Sequence, residues 1–157
     1  MFTINFSGYI KEREDGFRMK VSVETLMDIF KSKGIRPSYT RVRIMEYLSA
    51  NRSHPTADEI YGSLVGEIPT LSKTTVYNSM NAFVEAGLAR VITIEDNEVR
   101  YDADISDHGH FKCTRCGRIY DFPVDVEALQ PNGLSGFKVN QRDVYFKGTC
   151  SGCLDNK

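Results

Sequence analysis

The chain has 157 residues, of which 41% are hydrophobic and 26% charged, with a net charge of −1. Such a composition excludes an intrinsically disordered chain, and the near-neutral balance excludes a nucleic-acid binder held by bulk charge alone. No apolar run approaches the roughly 18–20 residues that span a bilayer, and MFTINFSGYIKERED lacks a basic start and an apolar centre, so a cytoplasmic location is expected.

The first segment, residues 1–18, alternates loosely at Phe2, Ile4 and Phe6, and Asp15-Gly16 is a hairpin turn signal; it is read as a β-arm. From Val23 the period changes. Val23, Leu26 and Phe30, with Gly34 as a stop, predict a first helix. In TRVRIMEYLSA, Val42, Met45 and Leu48 form the stripe of a second. Thr56 with Glu59 three residues on is a capping box that opens a third, with Ile60 and Leu64 facing a core. Ser72 caps a fourth, whose stripe is Val76, Met80, Phe83 and Val84, with Gly87 as its stop. ARVITIEDNEVRYDAD then alternates with period two around Asp96-Asn97, predicting a two-stranded hairpin. Short helices followed by a hairpin is the winged helix-turn-helix order. Beyond it the chain changes character. HFKC, RIYDF, FKVNQ and DVYFKG read as strands, and VDVEALQ reads as a helix.

The expected architecture is therefore α+β: a winged helix-turn-helix domain at residues 19–104 and a small α/β domain at residues 105–157. Residues 19–90 carry a net +2 and residues 91–157 a net −3, so the front half is the one suited to nucleic acid. The fourth helix presents short polar groups at its N-terminal end, as a recognition helix must. Ser72, Lys73, Thr74, Thr75, Tyr77 and Asn78 are the candidate DNA contacts, with Arg41 upstream. The plainer reading is a solvated helix face.

Cys113-x-x-Cys116 and Cys150-x-x-Cys153 are matched pairs, 33 residues apart. Each chelates from a tight turn, and four thiolates favour a closed, tetrahedral, structural zinc site. Free thiols, a redox pair or an iron–sulfur cluster are the competing readings; no thioredoxin-like βαβ context supports the redox one. His108 and His110 leave the same face of a strand, while Cys113, an odd number of residues from each, leaves the other. The plainer reading is a pair of solvent-exposed histidines, but this spacing argues for a second, nitrogen and oxygen site. Asp102 and Asp121 are candidates to complete it, with Asp104 and Asp107 as competitors. The one remaining histidine is His54, ahead of the third helix.

GIRPSYTR, IMEYL, HPTADEIY, LSKTTVYN, RYD, DHGHFKCTRCGRIYDF and GTCSGC, in that order, resemble the ferric uptake regulator family of metal-dependent repressors, from about Val23 to Cys153. Within it the chain is most similar to the peroxide-responsive branch. The resemblance implies a structural four-cysteine zinc and a regulatory Fe²⁺ or Mn²⁺ site of His54, Asp102, His108, His110 and Asp121. It implies Asp at position 121 in peroxide sensors and more often Glu in iron-uptake regulators, and Asn78 also resembles the peroxide branch. Where the family reads Thr-Pro-Gln-Arg, this chain has Ser38-Tyr39-Thr40-Arg41. It lacks the additional histidine that many members carry before the last cysteine pair, so a third metal site is not expected.

The resemblance further implies a homodimeric repressor of palindromic DNA, with residues 105–157 as its dimerisation domain. Peroxide would be sensed through iron-catalysed oxidation of His54 or His108. An iron- or manganese-responsive uptake repressor of the same architecture is the nearest alternative. A metallohydrolase and a zinc-stapled interaction module are more distant ones; no general base stands apart from the ligands, so an enzyme is not expected.

Overall fold

The computed structural model describes residues 21–94, 98–125, 128–129 and 133–155. The expected arm at residues 1–18 and the Asp96-Asn97 turn lie outside the described residues. The chain divides between Ser106 and Asp107 into two compact units.

The first unit is built from four helices with one kind of beginning. α1 (Val23–Ser32), α2 (Tyr39–Ala50), α3 (Ala57–Leu64) and α4 (Lys73–Glu85) follow Ser22, Ser38, Thr56 and Ser72. Each cap oxygen accepts from the backbone N–H three residues on, satisfying a donor that has no partner inside the helix. At Thr56 the bond is reciprocated, because Glu59 accepts from the Thr56 N–H. α4 ends at Gly87, whose φ of +68° is a left-handed conformation that L side chains rarely adopt. Gly87 N–H donates to the Val84 carbonyl and Leu88 N–H to the Phe83 carbonyl, closing the helix end.

Between the caps, apolar spacing sets which faces are buried. Leu26 and Phe30 of α1, Met45 and Leu48 of α2, Ile60 and Leu64 of α3, and Val76, Met80 and Phe83 of α4 form one core. Phe30 and Phe83 stack across it with ring centroids 5.3 Å apart. β1 (Arg90–Ile92) and β2 (Arg100–Asp102) pair antiparallel, with Val91 opposite Tyr101, and form the wing. A bridge between Thr56 and Arg100 ties β2 to the start of α3.

In the second unit, β3 (Gly109–Cys113) is central. β4 (Ile119–Phe122) pairs with it antiparallel and β5 (Val144–Gly148) parallel, in the order β4-β3-β5. A short α5 (Ser151–Asp155) follows.

Among the described residues, two expected elements do not form. FKVNQ is not a strand: Phe137 N–H closes a turn on the Leu134 carbonyl, and Phe137 is 70% exposed. Its alternation satisfies the local pattern, but among the described residues it pairs with neither of the sheet's edge strands, β4 and β5. VDVEALQ is not helical at Val124, Asp125, Ala128 or Leu129. There Asp125 Oδ1 accepts from the Ala128 N–H at 3.1 Å. Val126, Glu127 and Gln130 lie outside the described residues. Among the described residues no helix is long and apolar enough to cross a membrane.

Candidate metal centres and nucleic-acid face

The four cysteines converge at one end of the second unit. Cys113 ends β3, and the chain turns back at once: Gly117 N–H donates to the Cys113 carbonyl and Cys113 N–H to the Arg118 carbonyl. Cys150 immediately precedes α5 and Cys153 lies within it. Thr114 N–H donates to the Gly148 carbonyl at 2.7 Å, joining the two turns.

One Sγ from each cysteine lies within 4.8 Å of the others. A tetrahedral zinc with Zn–S bonds of about 2.3 Å spaces its sulfurs about 3.8 Å apart; Cys116 and Cys150 Sγ are 3.8 Å apart. The backbone N–H groups of Cys116 and Cys150 point at Cys113 Sγ and lower its pKa to about 6. The Tyr120 hydroxyl lowers that of Cys150 and is itself pushed up to about 12 by the bond. Cys153 is pushed up to about 12, chiefly by its contact with Cys150. Four clustered thiols thus resist joint ionisation, since each new negative charge disfavours the next. A dication removes that conflict, so the donor set fits zinc.

A second cluster lies on the other face of the same sheet. His110 on β3 is the cross-strand partner of Asp121 on β4. His108, two residues earlier, places Nε2 3.0 Å from His110 Nε2. Asp121 Oδ1 is 3.8 Å from each of these nitrogens. Two nitrogens about 3 Å apart match ligands at right angles around an ion with bonds of about 2.1 Å, so these three side chains fit a shared cation. His110 is 2% exposed, and Tyr145 of β5 packs beside its ring with centroids 5.8 Å apart.

Gly109, between the two histidines, is set by a close approach. A Cβ there would stand 2.3 Å from the Phe122 ring, which stacks on Phe146 at 5.3 Å and 7°. The aromatic face of the sheet therefore demands a residue without a side chain between the two histidines.

In the first unit, His54 and Asp102 are both buried, with His54 Nε2 3.8 Å from Asp102 Oδ2. His54 has φ +52°, the one non-glycine residue with positive φ among the described residues. That backbone region costs an L residue roughly 1–2 kcal/mol. Asp104, a competitor in the sequence, has its Oδ1 engaged by the Ser106 N–H and hydroxyl, and Asp107 is exposed.

On α4, Thr74, Tyr77, Asn78 and Asn81 are exposed along one stripe. Asn81 was not singled out from the sequence, although it continues the spacing by three from Asn78. Ser72 and Thr75 are occupied with the helix cap. Lys73 Nζ forms an ion pair with Asp58 at 2.8 Å, which raises its pKa. Arg41 lies on α2, away from that stripe in the chain, and donates to the Arg36 carbonyl at 2.6 Å.

Residues 32–147 match the model of the ferric uptake regulator family. The chain belongs to that family. The resemblance read from the motifs and the winged-helix α+β architecture are thereby borne out. As a member, the protein is a metal-responsive transcription regulator and not an enzyme, which sets aside the metallohydrolase reading. It is similar to the peroxide operon regulator of Bacillus subtilis (strain 168), with 40% identity over 139 residues, covering 86% of this chain and 92% of that one. It is also similar to the peroxide-responsive repressor PerR of Staphylococcus epidermidis, with 35% identity over 129 residues, covering 80% and 85%. Among solved structures, the ferric uptake regulator from Francisella tularensis with iron superposes with a TM-score of 0.65 at 25% identity, covering 77% of this chain and 96% of that one.

Proposed function

We propose that this protein is a peroxide-sensing repressor that grips palindromic operator DNA as a homodimer and is controlled by a regulatory Fe²⁺ or Mn²⁺. The observation that carries the reading is the donor set. His108, His110 and Asp121 converge in the second unit, and His54 and Asp102 stand together in the first. Three imidazoles and two carboxylates suit Fe²⁺ or Mn²⁺, with selectivity left to geometry and cellular supply. Zinc held by Cys113, Cys116, Cys150 and Cys153 would staple a unit too small to rely on its core alone.

Bound Fe²⁺ would supply reducing electrons for peroxide, which Mn²⁺ would do poorly. His54 and His108 are the imidazoles proposed to gain oxygen, and an oxidised imidazole is lost as a ligand. Loss of His54 as a ligand would lower operator affinity. Couplings of this kind are typically about 5–150-fold in affinity. On α4, Thr74, Tyr77 and Asn78 would face base edges and phosphates, with Ser72, Lys73, Thr75 and Arg41 toward the backbone. A two-fold dimer reads two half-sites of opposite sense. The exposed aromatics Phe146 and Tyr120 on the second unit's sheet support dimerisation there. The likeness to the two peroxide regulators supports the choice of signal.

Mass spectrometry of the ferrous protein after brief exposure to peroxide tests this. One added oxygen on a peptide carrying His54 or His108, with loss of operator binding, is the expected result. The runner-up is an iron- or manganese-responsive uptake repressor, favoured by similarity to the iron-bound Francisella regulator. Operator binding that follows metal supply and survives peroxide, with no added oxygen, would establish it instead.

A further inference from the structure

A buried histidine in left-handed backbone needs something to hold it there. The His54 carbonyl accepts a hydrogen bond from Arg100 Nη1 at 3.1 Å. The same nitrogen lies 3.2 Å from Glu59 Oε2, the atom that accepts from the Thr56 N–H at 2.8 Å in the capping box of α3. Arg100 Nη2 pairs with Glu98 at 3.0 Å. The neighbouring backbone is tied down as well, since Tyr101 N–H donates to the Pro55 carbonyl at 3.1 Å and Thr56 bridges to Arg100. The Arg100 side chain is only 16% exposed, and its bond to the His54 carbonyl is part-buried, whereas Glu59 and Glu98 are about half exposed.

Two residues further along β2 stands Asp102, 3.8 Å from the His54 ring. Strand alternation puts Arg100 and Asp102 on one side of β2. One short strand therefore holds His54 twice, at its carbonyl through Arg100 and beside its ring through Asp102. That strand is also half of the wing, paired to β1. A planar guanidinium serves a carbonyl and two carboxylates from a fixed fork, where an ammonium is a compact point charge with rotatable donors.

We propose that Arg100 is a positioning residue for His54, fixing the loop from which the imidazole reaches a divalent cation and linking that ligand to the wing. The proposal rests on the reading of His54 as a metal ligand. An arginine that merely stapled the fold would change stability and leave metal affinity independent of His54.

The test is a double-mutant cycle on the full-length, zinc-loaded protein, using Arg100→Gln, His54→Ala and their combination. The measurements are the Mn²⁺ dissociation constant by equilibrium titration and the thermal midpoint without Mn²⁺. Arg100→Gln is expected to weaken Mn²⁺ binding by about 10–100-fold, the usual effect of losing a group that orients a ligand. In the His54→Ala background it should add less than about threefold, a non-additivity expected only if Arg100 acts through His54. Equal weakening in both backgrounds, or none in the parent, overturns the proposal. If His54→Ala itself leaves the Mn²⁺ constant unchanged, it is the ligand reading that fails, and the positioning role falls with it. Should Arg100→Gln not fold, Arg100→Lys keeps the charge without the fork and is judged by the same outcomes.

Discussion

His110 and Asp121 face each other across β3 and β4, with Asp121 Oδ1 3.8 Å from His110 Nε2. The pairing is imposed by strand register and needs no loop to create it. Asp121→Ala should therefore weaken Mn²⁺ binding about tenfold or more, by analogy with the loss of ligand-orienting groups, while zinc content and the thermal midpoint stay near the parent's. Equilibrium titration and atomic absorption check both halves. An unchanged Mn²⁺ constant would remove Asp121 from the site.

The cysteine cluster makes a prediction about pH. Cys113 is lowered from 9.0 to about 6 by the N–H groups that point at its sulfur. Because the folded value is depressed, its contribution to stability is full above about 9 and is lost as pH falls through about 6. In zinc-stripped protein, ultraviolet thiolate absorbance should show a first thiol ionising near pH 6. Cys153, pushed up to about 12, should remain a thiol long after. A titration in which all four thiols ionise together would contradict the arrangement.

Gly109 offers a steric test. An alanine Cβ there meets the Phe122 ring at 2.3 Å, and that ring is backed by Phe146. Gly109→Ala should cost about 1–3 kcal/mol through overpacking, read from denaturant unfolding of the zinc-loaded protein. Shrinking the obstacle with Phe122→Leu in the same chain should recover part of the loss. Absence of any recovery would mean that the clash is relieved elsewhere.

Helix α4 separates residues that build it from residues proposed to read DNA. Ser72→Ala removes the cap bond to Thr75 N–H and should cost about 1 kcal/mol of stability. Asn78→Ala, on an exposed site, should stay within about 0.5 kcal/mol in stability. Its expected loss is in operator binding, about 1–3 kcal/mol if it makes a base contact. Urea unfolding beside a binding titration distinguishes the two. Unchanged operator affinity for Asn78→Ala would take it off the DNA face.

Local signals determined the parts of this protein that local physics controls. A 3.6-residue apolar stripe marked all four helices of the first unit, with caps read at Thr56 and Ser72 for the last two, since a helix satisfies its own backbone and needs only one apolar face. The two cysteine pairs announced one sulfur site, and the spacing of His108, His110 and Cys113 placed nitrogen and sulfur ligands on opposite faces of a strand. The same local pattern failed at FKVNQ and VDVEALQ. There, alternation and helix periodicity were present, but the described residues form neither the strand nor the helix.

Only the tertiary structure decided that β5 joins β3 in parallel, that Asp121 is the cross-strand partner of His110, that Phe122 leaves room for nothing but glycine at 109, and that Arg100 grasps the backbone of a histidine 46 residues earlier. Sequence carries what a residue does to its near neighbours. Register, close approach and long-range hydrogen bonds depend on which distant segments meet, and that is settled only when the whole core closes.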